Sequence, residues 1–132
     1  MSSLPPTQFG FTKLLVDDLE KTAAFYKSVC GLVETARVEA TIGEREISEI
    51  LFAPAYQGAA TFVLLKFVSA PRPTNDEVIL GFITDDVAAF VERAKAAGGS
   101  LVQAPYDNVE HGVKVGFVTD VEGHLIEVVQ LL

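Results

Sequence analysis

The closing segment HLIEVVQLL sets one carboxylate, Glu127, between Ile126 and Val128. Apolar surroundings favour the neutral form of a carboxyl group, a setting that suits a general base or a cation-binding group. If the segment is a strand, Leu125, Glu127 and Val129 share one face, and Ile126, Val128 and Gln130 the other. The competing reading is a carboxylate neutralised by a nearby Lys or Arg. Lys13 lies two residues after Phe11, on the same face of an expected first strand. It is either a pocket cation or a lysine whose stem covers apolar surface with its amine in water; Lys66 carries the same ambiguity. Cys30 is the single cysteine and reads as a small buried residue near a helix end, with no catalytic partner beside it. His111 and His124, the two histidines, fall in a loop and at a strand start. Tyr56 and Tyr106 stand in the loop-like stretches PAYQG and APYDN, where they either fold over a pocket mouth or cap a loop. Arg45, amid Glu44, Glu46 and Glu49, reads as part of an exposed, charge-paired strand.

Strands and helices must hold these side chains, and the apolar pattern supplies both. Phe9 to Val16 reads as a strand, ended by Asp17-Asp18. Asp18 is the N-cap of a helix running to about Cys30 and stopped by Gly31. Leu19, Ala23, Tyr26 and Cys30 fall near helical spacing, with Phe25 and Val29 widening the stripe. Leu32 to Ala40, Glu44 to Phe52 and Ala60 to Phe67 follow as strands, parted by Gly43 and by Pro54 to Gly58. The polar stretch Ser69 to Asp76, broken by two prolines, is a linker. The order then repeats: a strand at Val78 to Thr84, the pair Asp85-Asp86, and a helix at Val87 to Ala97 closed by Gly98-Gly99. Strands at Leu101 to Ala104, Gly112 to Thr119 and His124 to Leu131 complete it. A shift of 68 positions carries Asp17-Asp18 onto Asp85-Asp86, Lys27 onto Lys95 and Gly31 onto Gly99. Helix starts account for both acid pairs. The expectation is a single domain over residues 1–132: a first βαβββ module at 9–67, a linker at 68–77 and a second module at 78–131.

The formal charge of −8 repels nucleic acid and anionic membranes, so neither is an expected partner. No apolar run approaches the ~20 residues of a membrane span. Met1 to Phe9 shows no export signal, and a lone cysteine suits a reducing cytoplasm.

The segments FTKLLVDDLEKTAAFYKSVCGL, GFITDDVAAFVERAKAAGG and FVTDVEGHLIEVVQ, in that order, resemble the vicinal oxygen chelate superfamily. That group includes glyoxalase I, extradiol dioxygenases, fosfomycin-resistance enzymes, methylmalonyl-CoA epimerase and bleomycin-binding proteins. The resemblance runs from roughly Phe9 to Leu131. It implies an α+β fold of two tandem βαβββ modules, with curled mixed sheets around a central cavity, often in a homodimer. Phe25 and Tyr26 match a pair that recurs on the helix of such proteins, as core residues. Metal-dependent members place one ligand on the first and last strand of each module, usually His or Gln on the first and Glu on the last. The resemblance puts these positions at Phe11 and Ile79, and at Leu64 (to a residue or two) and Glu127. Three of the four have no lone pair to give, and a divalent ion needs several N, O or S donors. Sliding from Leu64 to Lys66 does not restore a site, since an ammonium only donates hydrogen bonds. No metal and no other cofactor is therefore expected, which argues against glyoxalase I and extradiol ring cleavage. The expected cavity lining is Phe11, Lys13, Leu64, Ile79 and Glu127, with a Lys13–Glu127 pair across the floor.

The leading expectation is a protein that binds a small organic molecule in an apolar cavity without the usual metal, as the bleomycin-binding branch illustrates. The absence of tryptophan argues against bleomycin itself. One alternative is a metal-independent enzyme of isomerase or lyase type, with Glu127 as catalytic acid or base and Lys13 holding a substrate anion. Another is a divalent-metal lyase or dioxygenase with relocated ligands, such as Glu127 joined by Glu46, Glu49 or His111. The last is a structural dimer subunit with a collapsed cavity.

Overall fold

The structure, a computed structural model, describes Thr7, residues 9–73 and residues 77–132. Residues 1–6, Gln8 and residues 74–76 of the expected linker lie outside the described residues. The first half of the chain is β1 (Phe11–Leu15), α1 (Leu19–Cys30), β2 (Glu34–Ile42), β3 (Arg45–Phe52) and β4 (Thr61–Phe67). The second is β5 (Ile79–Ile83), α2 (Val87–Ala96), β6 (Ser100–Asn108), a short 3-10 turn (Val109–His111), β7 (Val113–Thr119) and β8 (Leu125–Leu131). Two four-stranded mixed sheets result, in the orders β1-β4-β3-β2 and β5-β8-β7-β6. In each, the first strand runs parallel to the last and the other pairs are antiparallel.

The two acid pairs act as the sequence suggests. The Asp18 carboxylate accepts from Lys21 N at 3.0 Å, and that of Asp86 from Ala89 N at 3.0 Å, each satisfying an orphan donor of a helix's first turn. Gly31 ends α1 at φ 68°, a left-handed conformation that favours glycine. Gly99 is demanded by space: a Cβ there would meet the Thr119 carbonyl oxygen at 2.2 Å. Strand β6 outruns its expected end at Ala104 and continues through Pro105 to Asn108. It is the outer strand of its sheet, and its register shifts between Gln103 and Tyr106, so the missing proline N–H costs little.

One face of each sheet packs against the helices. Leu14, Val16, Ile50, Phe52 and Leu64 of the first sheet meet Ala23, Phe25, Tyr26 and Val29 of α1 in the same core as Phe90, Val91, Val118, Ile126 and Val128. A buried polar joint ties the halves together. Tyr26 Oη donates to Asp120 Oδ2 at 2.7 Å, and His124 Nδ1 lies 2.7 Å from the same oxygen. His124 Nε2 lies 3.2 Å from the Leu15 carbonyl oxygen. Both neighbours of the imidazole are acceptors, an arrangement that favours the doubly protonated ring. Burial alone would push the His124 pKa down and that of Asp120 up. Their mutual hydrogen bond and charge prevail, holding His124 above and Asp120 below the ordinary values. Next to them the Glu122 carboxylate accepts from Asp17 N (2.9 Å) and Asp18 N (2.6 Å), beside the start of α1. Outside this core, Arg37 and Lys27 both bind Glu34 at 2.7 Å and hold its carboxyl down at about 2. Among the described residues, no helix is long and apolar enough to cross a membrane.

Candidate functional site

Strand alternation sends the remaining side chains of each sheet to the face away from the helices, here called the open face; on the first sheet its central residues Ile47, Glu49, Val63 and Leu65 are nonetheless buried. In the first sheet, Lys13 is in register with Val63, and Val63 with Leu51. In the second, Gly81 is in register with Glu127, and Glu127 with Phe117. The internal repeat relates Lys13 to Gly81, so Val63 and Glu127 are counterparts. Leu64, expected to line the cavity, faces the other way. It is fully buried in the core with α1, and Val63 takes the position instead. A slip of one residue turns a side chain to the opposite face, and the unbroken apolar run from Phe62 to Leu65 offers no alternation to fix it.

Phe11 and Ile79 hold the first-strand positions and are each 58% exposed. Glu127 is half-buried and makes no ion pair or hydrogen bond among the described residues. Beside it, a Cβ at Gly81 would meet nothing within 4 Å, so there is space next to the carboxylate. Lys13 does not serve Glu127 as expected. Its Nζ lies 2.6 Å from Oε2 of Glu49, on the same open face, and 5.6 Å from the Phe11 ring centre. That oxygen has no well-directed donor, so the contact is one of charge more than of hydrogen-bond geometry. Glu49 is 6% exposed, and its burial is tolerable because a cation accompanies it.

Two other residues, Arg45 and Tyr106, depart from their sequence reading. Arg45 has no carboxylate partner among the described residues; its guanidinium lies over the Phe67 ring at 3.6 Å. Tyr106 belongs to β6 opposite Val115 rather than to a loop, whereas Tyr56 is 72% exposed. Burial pushes the Cys30 thiol up to about 12, which disfavours the thiolate. His111 sits exposed in the 3-10 turn.

A family model for the Glyoxalase/Bleomycin resistance protein/Dioxygenase superfamily matches residues 8–128. The chain belongs to this superfamily. A Vibrio cholerae protein named probable lactoylglutathione lyase is 28% identical over 120 residues, covering 90% of this chain and 87% of its own. A glyoxalase family protein from Bacillus cereus superposes with a TM-score of 0.80 at 18% identity, covering 100% of this chain and 99% of that one. A glyoxalase I mutant from Zea mays gives 0.75 at 19% identity, covering 92% of this chain but 45% of that one. Such structural likeness speaks for the fold alone.

The positions that the resemblance assigns to metal ligands fall, with Val63 in register where Leu64 was expected, on Phe11, Val63, Ile79 and Glu127. That set does not fit a divalent ion, since three hydrocarbon side chains leave a single carboxylate to hold it. Nor does the fold gather relocated ligands: among the described residues no three His, Cys, Asp or Glu side chains are placed to share an ion. Glu49 is engaged by Lys13, and alternation along β3 sends Glu46 to the face opposite Arg45.

Proposed function

We propose that this protein binds a small organic molecule against the apolar open faces of its sheets, without a divalent ion or other cofactor, as a homodimer in the cytoplasm. One observation carries the reading: three of the four family ligand positions are hydrocarbon, and the fourth, Glu127, stands beside the space at Gly81. Apolar walls with one acid suit a ligand that has a hydrocarbon body and one polar or cationic group. Phe11, Ile79 and Ile83, the last 83% exposed, support a second copy covering part of these faces.

A second reading, a metal-independent isomerase or lyase with Glu127 as acid or base, is favoured by the same carboxylate and the same adjacent space. The printed name of the Vibrio relative is that of a lyase. Thermal-shift and calorimetric screening against small amines and neutral molecules with apolar bodies tests both. Binding is expected to stabilise the protein and to be lost in Gly81→Val, which fills the space. Glu127→Gln should weaken a cationic ligand roughly tenfold and leave a neutral one unchanged. If no compound stabilises the protein, or if Gly81→Val binds as wild type does, the reading is wrong. Turnover that disappears in Glu127→Gln would establish the second reading.

A further inference from the structure

We propose a second ligand site, at the end of the first sheet away from Phe11, that takes a small organic anion. A cavity of about 220 Å³ lies there between the ends of β1 and β4 and the segment that follows β4. Leu15, Phe67, Pro71 and Pro73 give it apolar walls. Three cations line it, Arg45, Lys66 and Arg72, against one carboxylate, Asp17. The chain as a whole has 10 Lys and Arg against 18 Asp and Glu, so this cavity reverses the sign of the overall surface. A locally positive concavity with low-dielectric walls concentrates anions that the rest of the molecule repels.

The cations keep hydrogen-bonding capacity for a ligand. Arg45 is stacked on Phe67 at 3.6 Å, an arrangement that uses the flat face of the guanidinium and leaves its N–H fork in the plane. Glu46, its neighbour in sequence, points to the opposite face of β3 by alternation; with Glu44 it lines an adjoining cavity that shares Arg45 and Phe67, not this one. Arg72 spends one N–H on the Glu122 carbonyl oxygen at 3.2 Å, which anchors its head to the second module and leaves the rest of its fork. Lys66 reaches Asp17 at 3.3 Å, but both side chains are partly in water, so an anion can compete for the ammonium.

Arginine forks suit planar carboxylates and phosphates, and the apolar walls suit a compact hydrocarbon body behind the charged group. The volume lies below the roughly 300–1,000 Å³ of drug-sized sites, which limits the ligand to a small one. The fitting class is an aromatic or branched aliphatic carboxylate or phosphate monoester. This site is separate from the Gly81–Glu127 row.

The test is a titration of isotope-labelled protein with benzoate, phenyl phosphate and benzamide, followed by amide chemical shifts. Saturable shifts are expected at Leu15, Phe67 and Ala70 with at least one of the two anions, and the better anion names the headgroup. Gly81 and Phe117 should stay in place, and benzamide should move none of these amides. Arg45→Gln and Arg72→Gln should each weaken the anion roughly tenfold, the loss of one charge-assisted hydrogen bond. Arg37→Gln, whose guanidinium serves Glu20 and Glu34, should leave affinity unchanged. The proposal is overturned if neither anion moves those amides, if benzamide binds as well as the anions, or if Arg37→Gln weakens binding as much as Arg72→Gln.

Discussion

The two sheets share one topology, yet their open faces handle charge in opposite ways. The first buries Glu49 and gives it Lys13, so its charge is spent within the sheet. The second sets Glu127 beside a glycine, with no cation from the described residues. A repeated module therefore carries two electrostatic designs. In the first, the acid belongs to the architecture; in the second, it is available to something outside the chain. A buried ion pair is weak evidence for stability, but removing one partner of it is costly.

Breaking the joint shared by both sheets should have the largest effect, because it disturbs the halves together. Asp120 is 2% exposed and accepts from Tyr26, from the His124 ring, and from the amides of Glu122 and His124. Asp120→Ala should cost about 3–5 kcal/mol in urea unfolding, as for other broken buried pairs. A loss under about 1 kcal/mol would show that the joint does not couple the modules.

Substituting the two acids sharpens the comparison directly. Glu49→Leu leaves Lys13 without its partner on an apolar face and should cost about 1–2 kcal/mol. Glu127→Leu replaces an uncompensated carboxylate by hydrocarbon and should be neutral or stabilising by up to about 1 kcal/mol. Equal losses in both variants would mean that Glu127 has a structural role like that of Glu49.

Acidity and alkalinity should separate the joint from the open faces more gently. The raised pKa of His124 means that its contribution is complete below the ordinary histidine value of 6.5 and fades as pH rises through the folded value. The lowered pKa of Asp120 means that its contribution is complete above the ordinary 3.8 and fades as pH falls through the folded value. The urea midpoint of wild type relative to His124→Gln should therefore be highest between these two values and lower at pH 9. A difference that grew at alkaline pH would reverse the assigned protonation of the ring.

What could be read beforehand depended on how local its cause was. Both N-caps, the Gly31 stop and the internal repeat follow from neighbouring residues, and each stands where its spacing puts it. The face of Leu64 was not legible, because the run from Phe62 to Leu65 is apolar on both sides of the strand. Arg45 has acids all around it in sequence, yet it faces Phe67, which comes to it across the sheet. The joint is the extreme case: Tyr26 and Asp120 lie 94 positions apart, and nothing near Asp120 marks its partner. The turn TDVEGH, polar between two apolar strands, was the only local sign that side chains there bind backbone. Glu127 stood out as the acid in an apolar strand, whereas Glu49 lay hidden among other acids.

On the proposed function, this member of the superfamily works without the metal that its relatives' ligand positions serve. Elemental analysis of tag-free protein purified without chelator tests it most directly. Well under one divalent ion per chain is expected, unchanged in Glu127→Gln. Close to one ion per chain, lost in Glu127→Gln, would contradict it and place a metal on the open face of the second sheet.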